Sequence, residues 1–180
     1  MIHAMAAVTG VVLILITLPG TCELALLTLA GILPPRRRPA DVAGLKPAIA
    51  KLALVVPAHD EAVTIARCVR SLAACDPPGH GCATTIVVIA DNCIDTTAEL
   101  AESAGARVIV RIDAEHRGKG FALEDAFATL LAEGFDALMV IDADTVAKPN
   151  LVLEIVAILD RGADGVQTRY GVLNPGVSIR

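Results

Sequence analysis

The run Ala137-Leu138-Met139-Val140-Ile141 restricts the fold more than any other stretch of this chain. Nothing polar interrupts it and it has the length of a strand, so it reads as a strand buried on both faces, the pattern of a parallel sheet covered by helices. Its polar groups are therefore confined to its ends. Asp142 and Asp144 follow at the C-terminal end, separated by Ala143, and on an extended backbone alternate side chains share a face, so the two carboxylates project together. In an open α/β sheet this carboxyl edge is where ligands bind. Two carboxylates there suit a hard divalent cation, Mg²⁺ or Mn²⁺, which takes oxygen ligands and commonly reaches the protein through one or two carboxylates while phosphates supply the rest.

The preceding chain repeats the same grammar. Strands are expected at 52–56, 84–90 and 107–110, and helices at about 62–74, 96–104 and 118–133; a helix at 150–159 and a last short strand at 165–168 follow the central run. Strands alternating with helices imply βαβ units, a largely parallel sheet and flanking helices, hence an α/β, Rossmann-like fold. A chemically loaded loop follows each of the first four strands: Ala58-His59-Asp60-Glu61, 91–95, 111–119 and 142–145. All four converge on one edge of such a sheet.

The first 33 residues obey a different rule. From Ala4 to Leu33 there is no Lys or Arg and one acid, Glu23, and Arg36, Arg37 and Arg38 follow. The span exceeds the roughly 20 apolar residues that cross a bilayer and the roughly 15 of a secretory signal core. Residues 4–33 are expected to be a transmembrane anchor, with Pro19-Gly20 kinking or dividing the helix. The arginines place the rest of the chain in the cytoplasm by the positive-inside rule, so a single-pass cell-membrane protein with a cytoplasmic body is expected. Residues 34–50, rich in proline, read as a linker, and 51–180 as the folded domain.

Charge narrows the partners. With 15 Lys+Arg against 20 Asp+Glu, the body is mildly acidic and lacks the basic stripe of a nucleic-acid-binding domain, so no nucleic-acid partner is expected. Five cysteines without a CxxC pair indicate neither a zinc ribbon nor a closed disulfide framework.

Each loop also admits a reading without a ligand. Asp60 has the chemistry of a helix N-cap and Glu61 that of a first-turn acid; Asp95 is likewise a good N-cap for the next helix. Asp91 ends its strand before a cap is needed, and a carboxylate there can accept the imide N–H of uracil. In His116-Arg117-Gly118-Lys119-Gly120 two glycines permit close backbone approach and two cations near a helix N-terminus suit phosphate. The segment matches neither GxxxxGK[ST] nor GxGxxG.

Taken together, LALVVPAHDEAVTI, VVIADNCIDTTAE, EHRGKGFAL and DALMVIDADT resemble, in order and spacing, the inverting family 2 glycosyltransferases with a GT-A nucleotide-sugar domain, especially membrane-anchored members. The resemblance covers about 52–175. It implies a nucleotide-sugar donor, a UDP-sugar or similar, with Pro57 and Glu61 lining the nucleotide site, Asp91 on the base and Arg117 and Lys119 near base or diphosphate. Asp142 would then meet the ribose or metal side, and Asp144 would ligate Mg²⁺ or Mn²⁺. The acceptor, a lipid or polysaccharide precursor, is not named by any residue. The family's acidic catalytic base and QxxRW-type element have no counterpart here, so the chain is expected to hold the donor half of a truncated or fragmentary enzyme. The alternatives are a nucleotidyltransferase, which would bind a triphosphate and release pyrophosphate, or a non-catalytic nucleotide-binding remnant.

Overall fold

The strand Lys51–Ala58 (β1) shows how the sheet is covered, because its buried residues serve both faces. Leu52, Leu54, Val56 and Ala58 belong to one apolar cluster and Ala53 and Val55 to another, as period-two alternation requires. In this computed structural model, which describes residues 2–32, 49–78, 81–171 and 173, β1 is flanked by Ala83–Asp91 (β2) and Ala137–Val140 (β4), with Arg107–Arg111 (β3) beyond β2. The order is β3-β2-β1-β4 and every pairing is parallel. The sheet is therefore of the open, doubly wound kind, and its order reverses between β1 and β4.

Helices cover both faces. Ile65–Ala73 (α2), Thr97–Ser103 (α3) and Leu151–Asp160 (α5) share the cluster around Leu54, and Lys119–Ala132 (α4) packs over Val55 on the other side. In α2 the buried residues Ile65, Cys68, Val69 and Leu72 recur at helical spacing, and in α4 Ala122, Ala126 and Leu130 do the same. Each fully buried Leu, Ile or Val in these clusters contributes about 1.5–3 kcal/mol relative to exposure. The fold class expected from the sequence, a GT-A-like parallel sheet with flanking helices and an apolar N-terminal helix, is the one observed.

Three local differences have physical causes. The expected helix at 62–74 begins three residues late, because the Glu61 carbonyl accepts from the N–H groups of both Thr64 and Ile65 and closes a turn first. β4 is half-buried rather than buried, since among the described residues it pairs on one side only, with β1. No strand forms at 165–168; among the described residues its backbone joins no ladder, and Gly165 and Gln167 flank a single apolar Val166.

The chain divides into two units, Met1–Pro39 and Ala40–Arg180. In the first, Ile2–Ile32 (α1) is one helix with Pro19 inside it, so the Pro19-Gly20 pair does not split it. The stretch Gly10–Leu29 is long and apolar enough to cross a membrane, with mean hydropathy 2.1 and none of it buried. Its hydroxyls are satisfied within the helix: Thr17 Oγ1 donates to the Leu13 carbonyl, Thr21 Oγ1 to that of Leu18, and Thr28 Oγ1 to that of Leu24. In an apolar surrounding such internal bonds remove the cost of an unpaired polar group. The proline-rich linker expected at 34–50, with Arg36 to Arg38, lies outside the described residues except for Ile49 and Ala50.

Candidate functional site

Because all four strands run in one direction, the loops after them share the carboxyl edge of the sheet, and side chains stitch each loop to the next. Asp60 Oδ1 accepts from the Ile94 N–H at 2.8 Å, and Asp95 Oδ2 from the Ala62 N–H at 3.1 Å, joining the loops after β1 and β2. His59 Nδ1 donates to the Asp91 carbonyl at 2.7 Å. Thr97, fully buried, donates its hydroxyl to Asp95 Oδ1 and accepts the Glu61 N–H at 2.8 Å. Between β2 and β3, Asn92 Oδ1 accepts from the Asp113 N–H at 2.9 Å. Lys119 Nζ is bonded to Asp142 Oδ1 and so links the start of α4 to the end of β4.

Asp91 is nearly buried, and its Oδ1 accepts from Arg111 Nη1 at 2.8 Å and from Asn92 Nδ2 at 3.0 Å. Among the described residues Oδ2 has no partner and is not fully buried, so it is left as an open acceptor. Arg111, also nearly buried, meets three carboxylates: Asp91, Asp113 at 3.0 Å and Asp125 at 2.6 Å. Its pKa lies above the usual guanidinium range, held there first by the hydrogen bond to Asp125 and then by that to Asp91. Removing one member of the pair leaves the other charge uncompensated.

After β4, Ile141 and Ala143 point inward while Asp142 and Asp144 are exposed. Asp142 and Asp144 thus lie on a turn rather than on an extended backbone, the turn closed by the Thr145 N–H on the Asp142 carbonyl at 3.0 Å. Beneath it lies Cys68, whose thiol donates to the Asp142 carbonyl at 3.6 Å. Burial, and after it the charge of Asp144, raises that thiol to about 11, so without a cation it stays neutral at ordinary pH. The exposed pair fits a hard cation: both donors are carboxylate oxygens, and a positive charge, Lys119 Nζ, already rests on one of them.

Of the residues expected to form the site, Pro57 and Glu61 stand at the end of β1 and Asp91 at the end of β2. Arg117 and Lys119 flank the N-terminus of α4, and Asp142 and Asp144 follow β4. Asp60 is not a helix cap; its φ of 54° and its bond to Ile94 make it a clasp between loops. Asp95 does serve the start of α3, accepting from the Thr97 N–H at 2.9 Å. Asp60, Cys93 and Asp95 form a second group with ligand-type atoms within 4.8 Å of one another, but the carboxylates there are engaged by backbone N–H groups. A cavity of about 910 Å³ lies elsewhere, along Ala137 to Val140 and the segment 163–168. Its lining is mainly aliphatic, and Asp136 there accepts from the Ala50 and Lys51 N–H groups.

Gly118 has φ 113° and ψ 159° at the N-cap of α4, a conformation essentially restricted to glycine, in which another residue costs about 1–3 kcal/mol. Gly118→Ala is expected to lower thermal stability and displace Arg117 and Lys119. Gly120→Ala, whose added methyl meets nothing within 4 Å, should melt like the parent. Comparing the two melting curves checks this.

Acid should loosen the same loops. Thr97 holds Asp95 below its ordinary 3.8, and the His116 N–H does the same for Asp113. Depressed carboxylates stabilise the fold above the unfolded pKa, and that contribution fades as pH falls through the folded value. Melting temperature is therefore expected to drop between about pH 5 and pH 3, and less steeply in Asp113→Asn. Parallel slopes in the two proteins would contradict the assignment.

A family model described as "Glycosyltransferase like family 2" matches residues 47–180. Among solved structures, the chain is similar to a mycobacterial protein at 27% identity, with a TM-score of 0.50, over 69% of this chain and 40% of that one. It is also similar to glucosyl-3-phosphoglycerate synthase from Mycobacterium tuberculosis. The crystal structure of that enzyme with Mn²⁺, uridine-diphosphate and phosphoglyceric acid matches at 26% identity and a TM-score of 0.50, over 73% of this chain and 47% of that one. The structure of the same enzyme with Mg²⁺ and uridine-diphosphate matches at 26% identity and a TM-score of 0.50, over 71% and 44%. The chain thus spans less than half the length of these solved proteins. A comparison with curated proteins finds no match.

Proposed function

The chain belongs to the glycosyltransferase-like family 2, and on that premise we propose that its body binds the donor in a membrane-anchored enzyme moving a sugar from a nucleotide-diphosphate sugar to an acceptor hydroxyl. The observation that carries this reading is the stitched carboxyl edge. There Asp91 presents an open carboxylate oxygen on one side of β1, while Lys119, Asp142 and Asp144 gather at the β1/β4 switch point on the other.

On this reading Asp91 Oδ2 accepts the imide N–H of a uracil base, with Pro57 and Glu61 along the nucleoside. Arg117 and Lys119, at the N-terminus of α4, face the diphosphate, where cations and free N–H groups favour anions. Lys119 then exchanges Asp142 for phosphate oxygens, and Asp142 and Asp144 are left to hold Mg²⁺ or Mn²⁺. The cation supplies Lewis-acid neutralisation of charge on the departing diphosphate. Binding of uridine-diphosphate with Mn²⁺ or Mg²⁺ by the mycobacterial synthase supports the choice of donor and metal. α1 would tether the protein to the membrane, with the domain on the cytoplasmic side and a lipid or polysaccharide precursor as acceptor.

Calorimetric titration of the full chain in detergent with UDP, GDP, CDP and ADP, each with and without Mn²⁺, tests the reading. Saturable, metal-dependent binding of UDP is expected. A folded sample that binds none of the four overturns it.

A further inference from the structure

We propose that Arg111 is a positioning residue for base selection, acting through Asp91; this rests on the donor-site reading above. In the sheet, Asp91 and Arg111 are register partners, the last residues of adjacent parallel strands. Their side chains meet at the carboxyl edge, Nη1 to Oδ1 at 2.8 Å, with side-chain exposures of 10% for Arg111 and 8% for Asp91. The same guanidinium holds the other parts of the pocket wall. Nη1 also donates to the His116 carbonyl at 2.8 Å, Nη2 to Asp113 and Nε to Asp125 of α4. One planar group thus fixes the end of β2, the turn that leads into Arg117 and Lys119, and the first half of α4.

The geometry has a direct consequence for selectivity. A free aspartate side chain rotates and offers either oxygen in many directions. Here two donors hold Oδ1, so Oδ2 is left aimed one way. Uracil carries an imide N–H that such an acceptor binds, whereas the corresponding ring nitrogen of cytosine carries no hydrogen and meets the carboxylate lone pair to lone pair. Rejection of the wrong base depends on the acceptor being unable to turn away, because a fixed, mismatched polar group is what separates close analogues. Lysine at 111 keeps the charge but offers one compact ammonium in place of a fork that reaches three carboxylates. It would leave the Asp91 side chain mobile.

The test compares UDP with CDP, in Mn²⁺, by calorimetry on the full chain in detergent, for the parent, Arg111→Lys and Asp125→Asn. Asp125 is 65% exposed, so its replacement loosens the Nε anchor without burying a lone charge and keeps the question answerable if Arg111→Lys does not fold. Arg111→Lys is expected to cut the preference for UDP over CDP by about tenfold, and Asp125→Asn by about two- to threefold, the scale of one charge-assisted hydrogen bond lost or weakened. A residue that merely supported the fold would weaken both nucleotides alike and leave their ratio unchanged. An unchanged ratio in the variants that fold overturns the role of Arg111 while the donor site stands. A parent that binds no nucleotide, or prefers CDP, overturns the reading of Asp91 and this inference with it.

Discussion

Asp144→Ala is expected to remove metal-dependent nucleotide binding while leaving the melting temperature close to that of the parent. Asp144 is exposed and follows β4 in a turn, and among the described residues its side chain makes no hydrogen bond or ion pair that its loss would break. Its neighbour Asp142 is a less clean target, since its removal also frees Lys119. A cation held by two carboxylates and a diphosphate loses one of its two protein anchors in the variant. UDP affinity measured with Mn²⁺ should fall on the order of 100-fold, or ~2.7 kcal/mol at ~1.4 kcal/mol per decade. In metal-free buffer the parent and the variant should bind alike. Equal Mn²⁺-dependent affinity in both would move the metal away from this pair, and the acidic group of Asp60 and Asp95 would be the next place to look.

The elements legible in the sequence are those whose burial follows a period. β1 to β4 and α2 to α5 were expected within a few residues of where they lie, because Leu52 to Val56, Val87 to Ala90 and the stripe Ala122, Ala126, Leu130 each satisfy a local rule. The seven residues proposed for the site are charged or special residues that follow apolar runs, and the parallel topology brings their loops to one edge. What stayed hidden depends on register. That Asp91 stands beside Arg111, 20 residues away, is a property of the pairing between β2 and β3, and no window of local sequence contains it. Asp60 misled for a related reason: its composition suits a cap, but a left-handed backbone turns its carboxylate toward Ile94 of the neighbouring loop. Thr97 carries a signal only in retrospect, as a hydroxyl two residues after Asp95 that ends up fully buried. A cation at the carboxyl end of a strand whose interior is Val108, Ile109 and Val110, as Arg111 closes β3, is the cue that would have found the clamp.

Leu54→Ala is expected to have the largest effect on stability, and it separates the scaffold from the edge it carries. Leu54 is 1% exposed at the centre of β1, with Ile86 and Met139 as its register partners on either side. It belongs to the cluster that joins α2, α3 and α5 to the sheet, so truncation opens a cavity where several elements meet. Such a change costs about 2–5 kcal/mol, a large share of the ~5–15 kcal/mol available to a domain of this size. The midpoint of thermal unfolding should fall by roughly 10 °C. Val63→Ala, at a side chain 95% exposed, should leave it within about 1 °C, since surface changes of this kind stay near 0.5 kcal/mol. Below the lowered midpoint, the Leu54 variant should still bind UDP with Mn²⁺ at parental affinity, because the stitched loops of the carboxyl edge do not include Leu54. A weakened affinity in the fully folded variant would mean that the site draws its geometry from the core itself rather than from the Asp60, Asn92, Thr97 and Arg111 bonds that tie its loops together.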